Sequence, residues 1–395
     1  MREYHSALGV AAALKPDAPV TLIRPHAADR AARFFIEKFP GLAMYAVKAN
    51  PSPDLIRTLW QAGLTHYDVA SINEVRLVRA LLPQATLCFM HPVKSAEAIA
   101  EAYFEHGVRT FSLDSIEELQ KIVEVTGAPG DLTLCVRMRV SSAHSKLSLA
   151  SKFGCGLDDA PALLLAARQA ADALGVCFHV GSQAMSPQAY AEAMELVRAA
   201  IVKAGVTVDV VDVGGGFPSV YPGMDPAPMQ MFFDTIHRAF EALPISYSAE
   251  LWCEPGRALC AEYASVLVRV ERRKGDVLYI NDGAYGSLFD AAHVGWRFPV
   301  RLVRSGSASA ELVDFGFYGP TCDDLDWMAG PFALPADVKV GDYVEVGMLG
   351  AYGAAMRTAF NGFGGGETAI VSDPPMATVY AVTESTPANV TAIGH

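Results

Sequence analysis

A lysine at the end of an apolar segment is the residue of this sequence with the clearest capacity for chemistry. Lys48 closes the segment Ala43–Lys48 and is followed by Ala49 and Asn50. If the segment is a buried strand, the lysine lies in a partly desolvated mouth, where loss of water disfavours the ammonium and frees an amine for imine formation. The alternative is a lysine whose flexible stem carries its charge out to water. Lys48 alone does not decide between the two.

Three consecutive glycines follow a second apolar segment. Gly214, Gly215 and Gly216 come directly after Val208–Val213. Glycines at a strand end let the backbone approach a phosphate closely, with N–H groups directed at it. The run has no following Gly-Lys-Ser/Thr and is not a Gly-x-Gly-x-x-Gly fingerprint. A phosphate loop and a merely flexible turn therefore both remain open.

Two further strand ends carry polar groups that suit a charged aromatic ligand. The Glu254 carboxylate can hold a ring nitrogen protonated, and Arg257 can clamp a phosphate or a carboxylate. The His179 imidazole can lie flat on an aromatic ring, and the Ser182 hydroxyl can bind a phosphate oxygen. The alternatives are a surface ion pair of little energetic value and a structural histidine.

The segments that carry these residues alternate regularly along the chain. Eight short apolar segments are predicted strands: Ala43–Lys48, Thr65–Ala70, Thr86–His91, Arg109–Asp114, Leu132–Met138, Val176–Gly181, Val208–Gly214 and Ser248–Glu254. Segments with helical periodicity separate them: Ser52–Ala62, Asn73–Leu82, Ser95–His106, Ile116–Thr126, Ala160–Leu174 and Pro187–Ala204. This alternation predicts an α/β protein with a TIM-like (β/α)8 barrel, and an open doubly wound sheet is the competing architecture.

Active sites of such barrels form where the strands end. The predicted strands end in polar residues or glycine: Lys48, Asp68, His91, Asp114, Arg137, His179, Gly214 and Glu254. We therefore expect a ring of functional groups around one mouth.

The pattern changes after about residue 262. Short β-branched runs separated by Gly or Pro predict a C-terminal antiparallel β domain, over Ala264–Val270, Val277–Asn281, Pro299–Val303, Glu311–Phe315 and Tyr343–Val346. The early run Val20–Arg24 is expected to join it. The predicted domains are a barrel over residues 25–262 and a β-sandwich or β-barrel-like domain over 1–24 and 263–395.

Composition narrows the functional classes. The chain has 395 residues, 51% of them hydrophobic, and a formal charge of −12, which disfavours nucleic-acid binding because phosphate contacts need clustered Lys and Arg. Its seven cysteines show no metal-ligand spacing, so we expect no metal and a reduced, cytoplasmic chain. The apolar run Ala7–Leu14 lacks a convincing cleavage site, and no stretch is long enough to span a membrane.

Taken together, the motifs resemble one family, the fold-type III pyridoxal-phosphate decarboxylases of ornithine, lysine, arginine and diaminopimelate, which share the alanine racemase fold. The resemblance runs from residue 20 to about 382. Eight motifs carry it in order: Tyr45–Asn50, His179–Ser182, Asp212–Pro218, Glu254–Arg257, Asn281–Ser287, Gly319–Asp323, Gly350–Tyr352 and Phe360–Phe363.

The resemblance implies a role for each matching residue. Lys48 would carry pyridoxal 5′-phosphate as a Schiff base, Glu254 would pair with the pyridine nitrogen, and His179 would stack on the ring. The phosphate would be held by Ser182, Gly215, Gly216, Arg257 and Tyr352, with Asp68 and Glu74 near the lysine and ring. Cys322 would belong to the partner subunit of a homodimer, with active sites at the interface, and would donate the proton that replaces CO2.

The resemblance also implies a basic substrate. In ornithine-type enzymes, aspartates at the positions of Asp290 and Asp323 bind the distal ammonium, whereas diaminopimelate enzymes usually show Cys-Glu-Ser in place of Cys322–Asp324. We therefore expect L-ornithine to be converted to putrescine in polyamine synthesis. L-lysine is a second candidate, because one methylene is discriminated by only ~1–3 kcal/mol.

Two competing functions share the fold. A racemase needs a second base and lacks Cys322 and Asp323 in this context, and a non-catalytic relative loses the lysine, phosphate or Cys-Asp residues. The alignment of Lys146–Gly154 is ambiguous by two residues. Lys152 and Asp326 match positions that could pair across a dimer.

Overall fold

The computed structural model describes residues 1–127, 130–149 and 151–380, so residue 150 of the ambiguous Lys146–Gly154 segment and residues 381–395 of the predicted β domain lie outside it. The strands are β1 Glu3–Tyr4, β2 Val20–Ile23, β3 Leu42–Ala46, β4 His66–Val69, β5 Thr86–Phe89, β6 Thr110–Leu113, β7 Thr133–Arg137, β8 Ser145–Leu147, β9 Ala173–Cys177, β10 Ser182–Ala184, β11 Val210–Asp212, β12 Glu250–Cys253, β13 Ala264–Lys274, β14 Val277–Ile280, β15 Val300–Val303, β16 Leu312–Tyr318, β17 Trp327–Pro335, β18 Tyr343–Val346 and β19 Glu367–Val371. The helices are α1 Ala7–Leu14, α2 Pro25–Lys38, α3 Pro53–Gln61, α4 Ile72–Leu81, α5 Ala96–Phe104, α6 Ile116–Thr126, α7 Ala160–Ala170, α8 Gln188–Ala204, α9 Met229–Glu241 and α10 Arg257–Cys260.

Eight parallel strands close into a barrel in the order β11-β12-β3-β4-β5-β6-β7-β9, which confirms the (β/α)8 prediction. The strands are buried apolar runs, and serines begin several of the helices between them. The hydroxyls of Ser71, Ser95 and Ser115 accept hydrogen bonds from backbone N–H groups of the first turns of α4, α5 and α6, which otherwise lack partners. The helices α4 and α6 begin almost directly after β4 and β6, which keeps these two connecting loops at the mouth short.

The boundary between α7 and β9 differs from the prediction. The helix was expected over Ala160–Leu174, but it ends at Ala170, and the strand begins at Ala173 rather than at Val176. Pairing with β7 decides the boundary, since Ala173 lies opposite Thr133 and Gly175 opposite Cys135. The apolar run suits a buried strand as well as a helix, and tertiary pairing selects the strand.

Apart from β8 and β10, which pair only with each other, the remaining strands form a second, mostly antiparallel sheet that agrees with the predicted C-terminal β domain. Its order is β1-β19-β2-β13-β14-β16-β17, with β18 paired to β13 and β15. The early strand β2 joins it as expected, antiparallel to β13 and parallel to β19. The parallel pairs and the strands β17 and β19 were not predicted. No described helix combines the length and apolar character needed to cross a membrane.

A buried ionic network ties the start of the barrel to the sheet. Arg24, between β2 and α2, donates to Glu345 and Asp373 at 2.8 Å each and to the Ser265 hydroxyl at 2.8 Å. Arg301 reaches the same two carboxylates at 2.6 and 2.5 Å. The Glu345 side chain is fully buried, so both cations are needed to balance the acids.

We predict that Glu345→Ala lowers the free energy of unfolding by about 3–5 kcal/mol, because the buried Arg24 guanidinium loses one of its two carboxylate partners. Urea unfolding followed by circular dichroism measures this. Glu271→Ala, which removes a part-exposed partner of Arg269, is the control and should change stability little. An equal effect of the two substitutions would contradict the assigned role of the network.

Candidate active site

The carboxyl ends of the barrel strands surround a cavity of about 390 Å³. Most of the polar strand-end residues expected at the mouth line it. The lining includes Lys48, His91, Arg137, Lys152, Phe153, His179, Ser182, Gly215, Gly216, Glu254, Arg257 and Tyr352. Folding therefore brings residues more than two hundred positions apart into one concave site, the usual form of a small-molecule site.

Lys48 lies in a short turn just beyond β3, with its Nζ 2.7 Å from Asp68 Oδ2. Burial by itself disfavours the ammonium, but the Asp68 and Glu254 carboxylates outweigh this and raise the pKa of Lys48 above its ordinary value. The effect of desolvation expected for Lys48 is present, but the neighbouring acids offset it in this arrangement. Asp68, at the end of β4, is the group placed to take the lysine's proton.

Glu74 stabilises the loop between β4 and α4 and does not line the cavity. Its carboxylate accepts a hydrogen bond from the Ala70 backbone N–H at 2.7 Å, while its own N–H donates to Ser71. These two hydrogen bonds, one to the N-cap Ser71 and one from the residue before it, fix the start of α4. Burial raises the pKa of Glu74.

The triple-glycine loop (Gly214–Gly216) needs glycine because its backbone lies very close to the carbonyl oxygens of neighbouring loops. Gly216 has φ +104°, and a Cβ there would lie 2.6 Å from the Gly181 carbonyl oxygen. A Cβ at Gly215 would lie 2.9 Å from the Glu254 carbonyl oxygen. The Tyr190 hydroxyl donates to the Gly215 carbonyl at 2.9 Å and holds the loop in place.

Arg257 closes the same side of the cavity from the first turn of α10. Its guanidinium donates to Tyr221 at 3.0 Å and to Ser182 at 3.3 Å. The Trp296 and Tyr352 rings flank it at 4.2 and 4.9 Å from their centroids. Its buried Nε has no partner among the described residues. A fixed cation with a spare donor, beside a glycine loop and a hydroxyl, suits an anion such as a phosphate.

His179 is held as a neutral ring. Its Nδ1 accepts a hydrogen bond from the Gly181 backbone N–H at 3.0 Å. Burial, assisted by Arg137 and Lys48, lowers the pKa of His179 well below its ordinary value. A neutral imidazole on the cavity wall can pack against a flat ring without adding charge.

Glu254 lies at the floor of the cavity beside a residue that sequence reasoning missed. Asp212, the last residue of β11, is fully buried, and its Oδ1 accepts from the Gly214 backbone N–H at 2.8 Å. Burial, and then the neighbouring Asp212, raise the pKa of Glu254 well above its ordinary value. Asp212 ends a strand just before the triple glycine, and this strand-end position could have identified it as a residue of the barrel mouth.

Arg137 is a second residue that received no site role. It ends β7, lines the cavity and lies over the Phe153 ring at 5.6 Å. Phe153 also packs on His91, with ring centroids 4.9 Å apart. Its strand-end position indicated the mouth, but its tertiary neighbours were not visible in the sequence.

The predicted substrate-binding acids do not line this cavity. Asp290 lies 3.7 Å from the Arg257 guanidinium, and burial raises the pKa of Asp290. Asp323 and Cys322 line a separate groove of about 620 Å³, which we call the acidic groove because Asp17, Glu271, Asp323 and Asp324 line it. Within one chain, the structure therefore keeps Cys322 and Asp323 apart from Lys48.

The loop that carries Cys322 and Asp323 is well braced. The Cys322 N–H donates to Asn361 at 3.1 Å, and the Tyr285 hydroxyl donates to Asp323 at 2.5 Å. Asp326 is buried, and its carboxylate accepts from Ala284 N–H and from the N–H and hydroxyl of Thr321. Both of its oxygens are thus occupied within the chain, so the suggested pairing of Asp326 with Lys152 finds no support here.

Comparison with known proteins gives a consistent result. Residues 26–261 match the family model "Pyridoxal-dependent decarboxylase, pyridoxal binding domain", and residues 247–350 match "Pyridoxal-dependent decarboxylase, C-terminal sheet domain". The lysine/ornithine decarboxylase of Selenomonas ruminantium is 32% identical over 341 residues, 84% of each chain.

Solved structures agree with the sequence matches. The lysine/ornithine decarboxylase of Vibrio vulnificus, complexed with putrescine, superposes with a TM-score of 0.79 at 28% identity over 93% of this chain and 99% of that one. The arginine decarboxylase of Paramecium bursaria Chlorella virus, bound to agmatine, gives 0.81 at 26% identity over 92% and 98%.

We predict that Gly216→Ala weakens pyridoxal 5′-phosphate binding about tenfold or more, because its Cβ would push the loop away from Gly181 and disturb charge-assisted phosphate contacts. Fluorescence titration measures the affinity. Gly205→Ala is the matched control, since Gly205 also has positive φ (+65°) but a Cβ there would meet open space. Unchanged affinity in Gly216→Ala would remove the loop from the phosphate site.

Proposed function

The chain belongs to the pyridoxal-dependent decarboxylases, and from that premise we propose that it decarboxylates L-ornithine to putrescine and accepts L-lysine as a second substrate. The observation that carries the choice of substrate is the carboxylate of Asp323. Its described partners are the Tyr285 hydroxyl and the Leu325 N–H, not a cation. These hydrogen bonds lower the pKa of Asp323, so an ionised acid is available for a distal ammonium. A role in polyamine synthesis and a cytoplasmic location stay predictions.

The cavity residues fit the family's cofactor. Gly215 and Gly216 on the cavity wall, the spare Nε of Arg257 and the Ser182 hydroxyl suit its phosphate, and Glu254 at the floor suits its ring nitrogen. Pyridoxal 5′-phosphate, when bound, supplies an electron sink for the negative charge left at Cα after CO2 departs. Lys48 is the amine placed to hold its aldehyde carbon.

The chain's own groups would then divide the work of orientation and proton handling. Asp68, 2.7 Å from the Lys48 Nζ, would take the proton that the lysine must lose before its nitrogen can bond to carbon. The neutral His179 would press against the ring face and keep water from it. Arg137 and Lys152 add positive charge to the outer wall, where a substrate carboxylate would enter.

Charge distribution supports a homodimer. The cavity is lined by the cationic groups Lys48, Arg137, Lys152 and Arg257, whereas the acidic groove holds the carboxylate proposed for the substrate ammonium and the Cys322 thiol proposed to protonate the product carbon. One chain does not bring them together. A second copy that placed its acidic groove over the cavity would complete both sites by symmetry.

We predict that a substrate panel of L-ornithine, L-lysine, L-arginine and diaminopimelate gives product amine and CO2 fastest from ornithine, then lysine. Lys48→Ala should abolish turnover and the absorbance band of the bound cofactor, because the covalent amine is lost. Lys146→Ala changes an exposed lysine of β8 and is the control. Preference for diaminopimelate or arginine would refute the substrate, and inverted amino acid without CO2 would indicate a racemase.

We predict that two inactive variants restore each other's activity when mixed. Lys48→Ala and Asp323→Asn damage different halves of a shared site, so random reassortment of subunits leaves one intact site per mixed dimer and recovers about one quarter of wild-type activity. Mixing Lys48→Ala with Glu254→Gln should recover none, since both changes lie in the same cavity. If the first mixture also stayed inactive after proven subunit exchange, the shared-site proposal would fail.

A further inference from the structure

Asp212 is a buried acid with one oxygen left without a donor. It ends β11 opposite Trp252 of β12, and Glu254 follows two residues later on that chain segment, so both side chains face the barrel interior. Gly214 links the two residues, because its N–H donates to Asp212 Oδ1 at 2.8 Å and its carbonyl accepts from the Glu254 N–H at 2.8 Å. Asp212 Oδ2 receives no hydrogen bond from an N–H or O–H group of the described residues. The Glu254 carboxyl group is close enough to interact with Asp212, since each of the two acids shifts the pKa of the other.

Two carboxyl groups in contact require a proton between them. Ionised oxygens only accept hydrogen bonds, so a bond between Asp212 and Glu254 needs one of the two to be protonated. Two neighbouring carboxylates buried away from water do not both stay charged. Burial raises the pKa of Asp212 to about 6, and that of Glu254 further above its ordinary value.

The surrounding groups do not remove this requirement. Lys48 is the nearby ammonium, and its hydrogen bond goes to Asp68. The Arg137 guanidinium lies over the Phe153 ring, 5.6 Å from its centroid. Burial raises the pKa of the thiols packed around the pair, so these stay uncharged: Cys88, Cys135, Cys177 and Cys253.

We infer that Asp212 is a positioning residue that shares a single proton with Glu254. This rests on the proposed function in assigning Glu254 to the cofactor's ring nitrogen. In the cofactor-free site, Glu254 carries the proton and donates a hydrogen bond to the Asp212 carboxylate. A protonated ring nitrogen held beside Glu254 would favour its ionised form, and the proton would then lie on Asp212, with the Glu254 O–H bond broken and an Asp212 O–H bond formed. No proton enters or leaves the pair.

The Asp212–Glu254 pair therefore suits the cavity floor both with and without a cationic ring bound. Protonated Asp212 donates to ionised Glu254, and a hydrogen bond to a carboxylate favours its charged form. The proton on the ring nitrogen is therefore less readily drawn back to Glu254. The same bond keeps the Glu254 carboxylate from rotating, since Asp212 is itself anchored by the Gly214 N–H.

The protonation claim is tested on the cofactor-free protein by infrared difference spectroscopy at pH 7. Asp212→Asn and Glu254→Gln should each remove the same single carbonyl band of a protonated carboxylic acid, because either amide can donate to the remaining carboxylate. Asp172→Asn, at an exposed position, is the control and should remove none. Loss of the band only in Glu254→Gln, or in neither variant, would overturn the shared proton.

The positioning claim is tested through cofactor affinity. Asp212→Asn keeps a donor to Glu254 and should retain pyridoxal 5′-phosphate affinity within about threefold, whereas Asp212→Ala should weaken it about tenfold or more. Melting temperatures of the variants check that each is folded. Equal affinity of the Asn and Ala variants would exclude the donor role. If wild-type protein bound no cofactor, the proposed function would fail while the infrared result still reported on the pair.

Discussion

Three buried carboxyl groups meet one lysine ammonium at the mouth of the barrel, and this imbalance of charge governs the site. Asp68 takes the Lys48 ammonium at 2.7 Å, which leaves Asp212 and Glu254 without a cation. Charges removed from water must be paired, hydrogen-bonded or neutralised by a proton. The first acid is paired, and the other two are placed to share a proton. The mouth is thus arranged for a cationic ring beside a neutral imidazole.

The barrel and the sheet contribute opposite charges to the chemistry. The barrel cavity has a mainly cationic wall, whereas the sheet presents the acidic groove with Cys322 and Asp323 on a loop that Asn361, Tyr285 and Asp326 brace. The buried Arg24 network holds the chain where it passes from sheet to barrel. This complementarity supports the proposed assembly of two copies, in which each chain would complete the site of the other.

The barrel was predictable because its signal is local. Apolar runs of strand length alternate with amphipathic segments, and each polar strand end necessarily falls at the same edge of a parallel barrel. Where an apolar run fits either a helix or a strand, pairing with a neighbouring strand decides which one forms, as it does for residues 173–175. The strand β19 depends on partners far away in the chain, because its parallel pairing with β2 joins the early and the late part of the β domain. No local pattern encodes such pairings.

The sequence by itself determined the family, the barrel and the set of polar groups at its mouth, because motif order and hydrophobic periodicity are properties of the chain. Tertiary structure alone decided the charge states and the grouping of those residues. Lys48 is held as an ammonium by Asp68, Asp212 lies against Glu254, and Asp323 faces a different groove from the lysine. Protonation depends on burial and on neighbours within a few ångströms, and folding sets both.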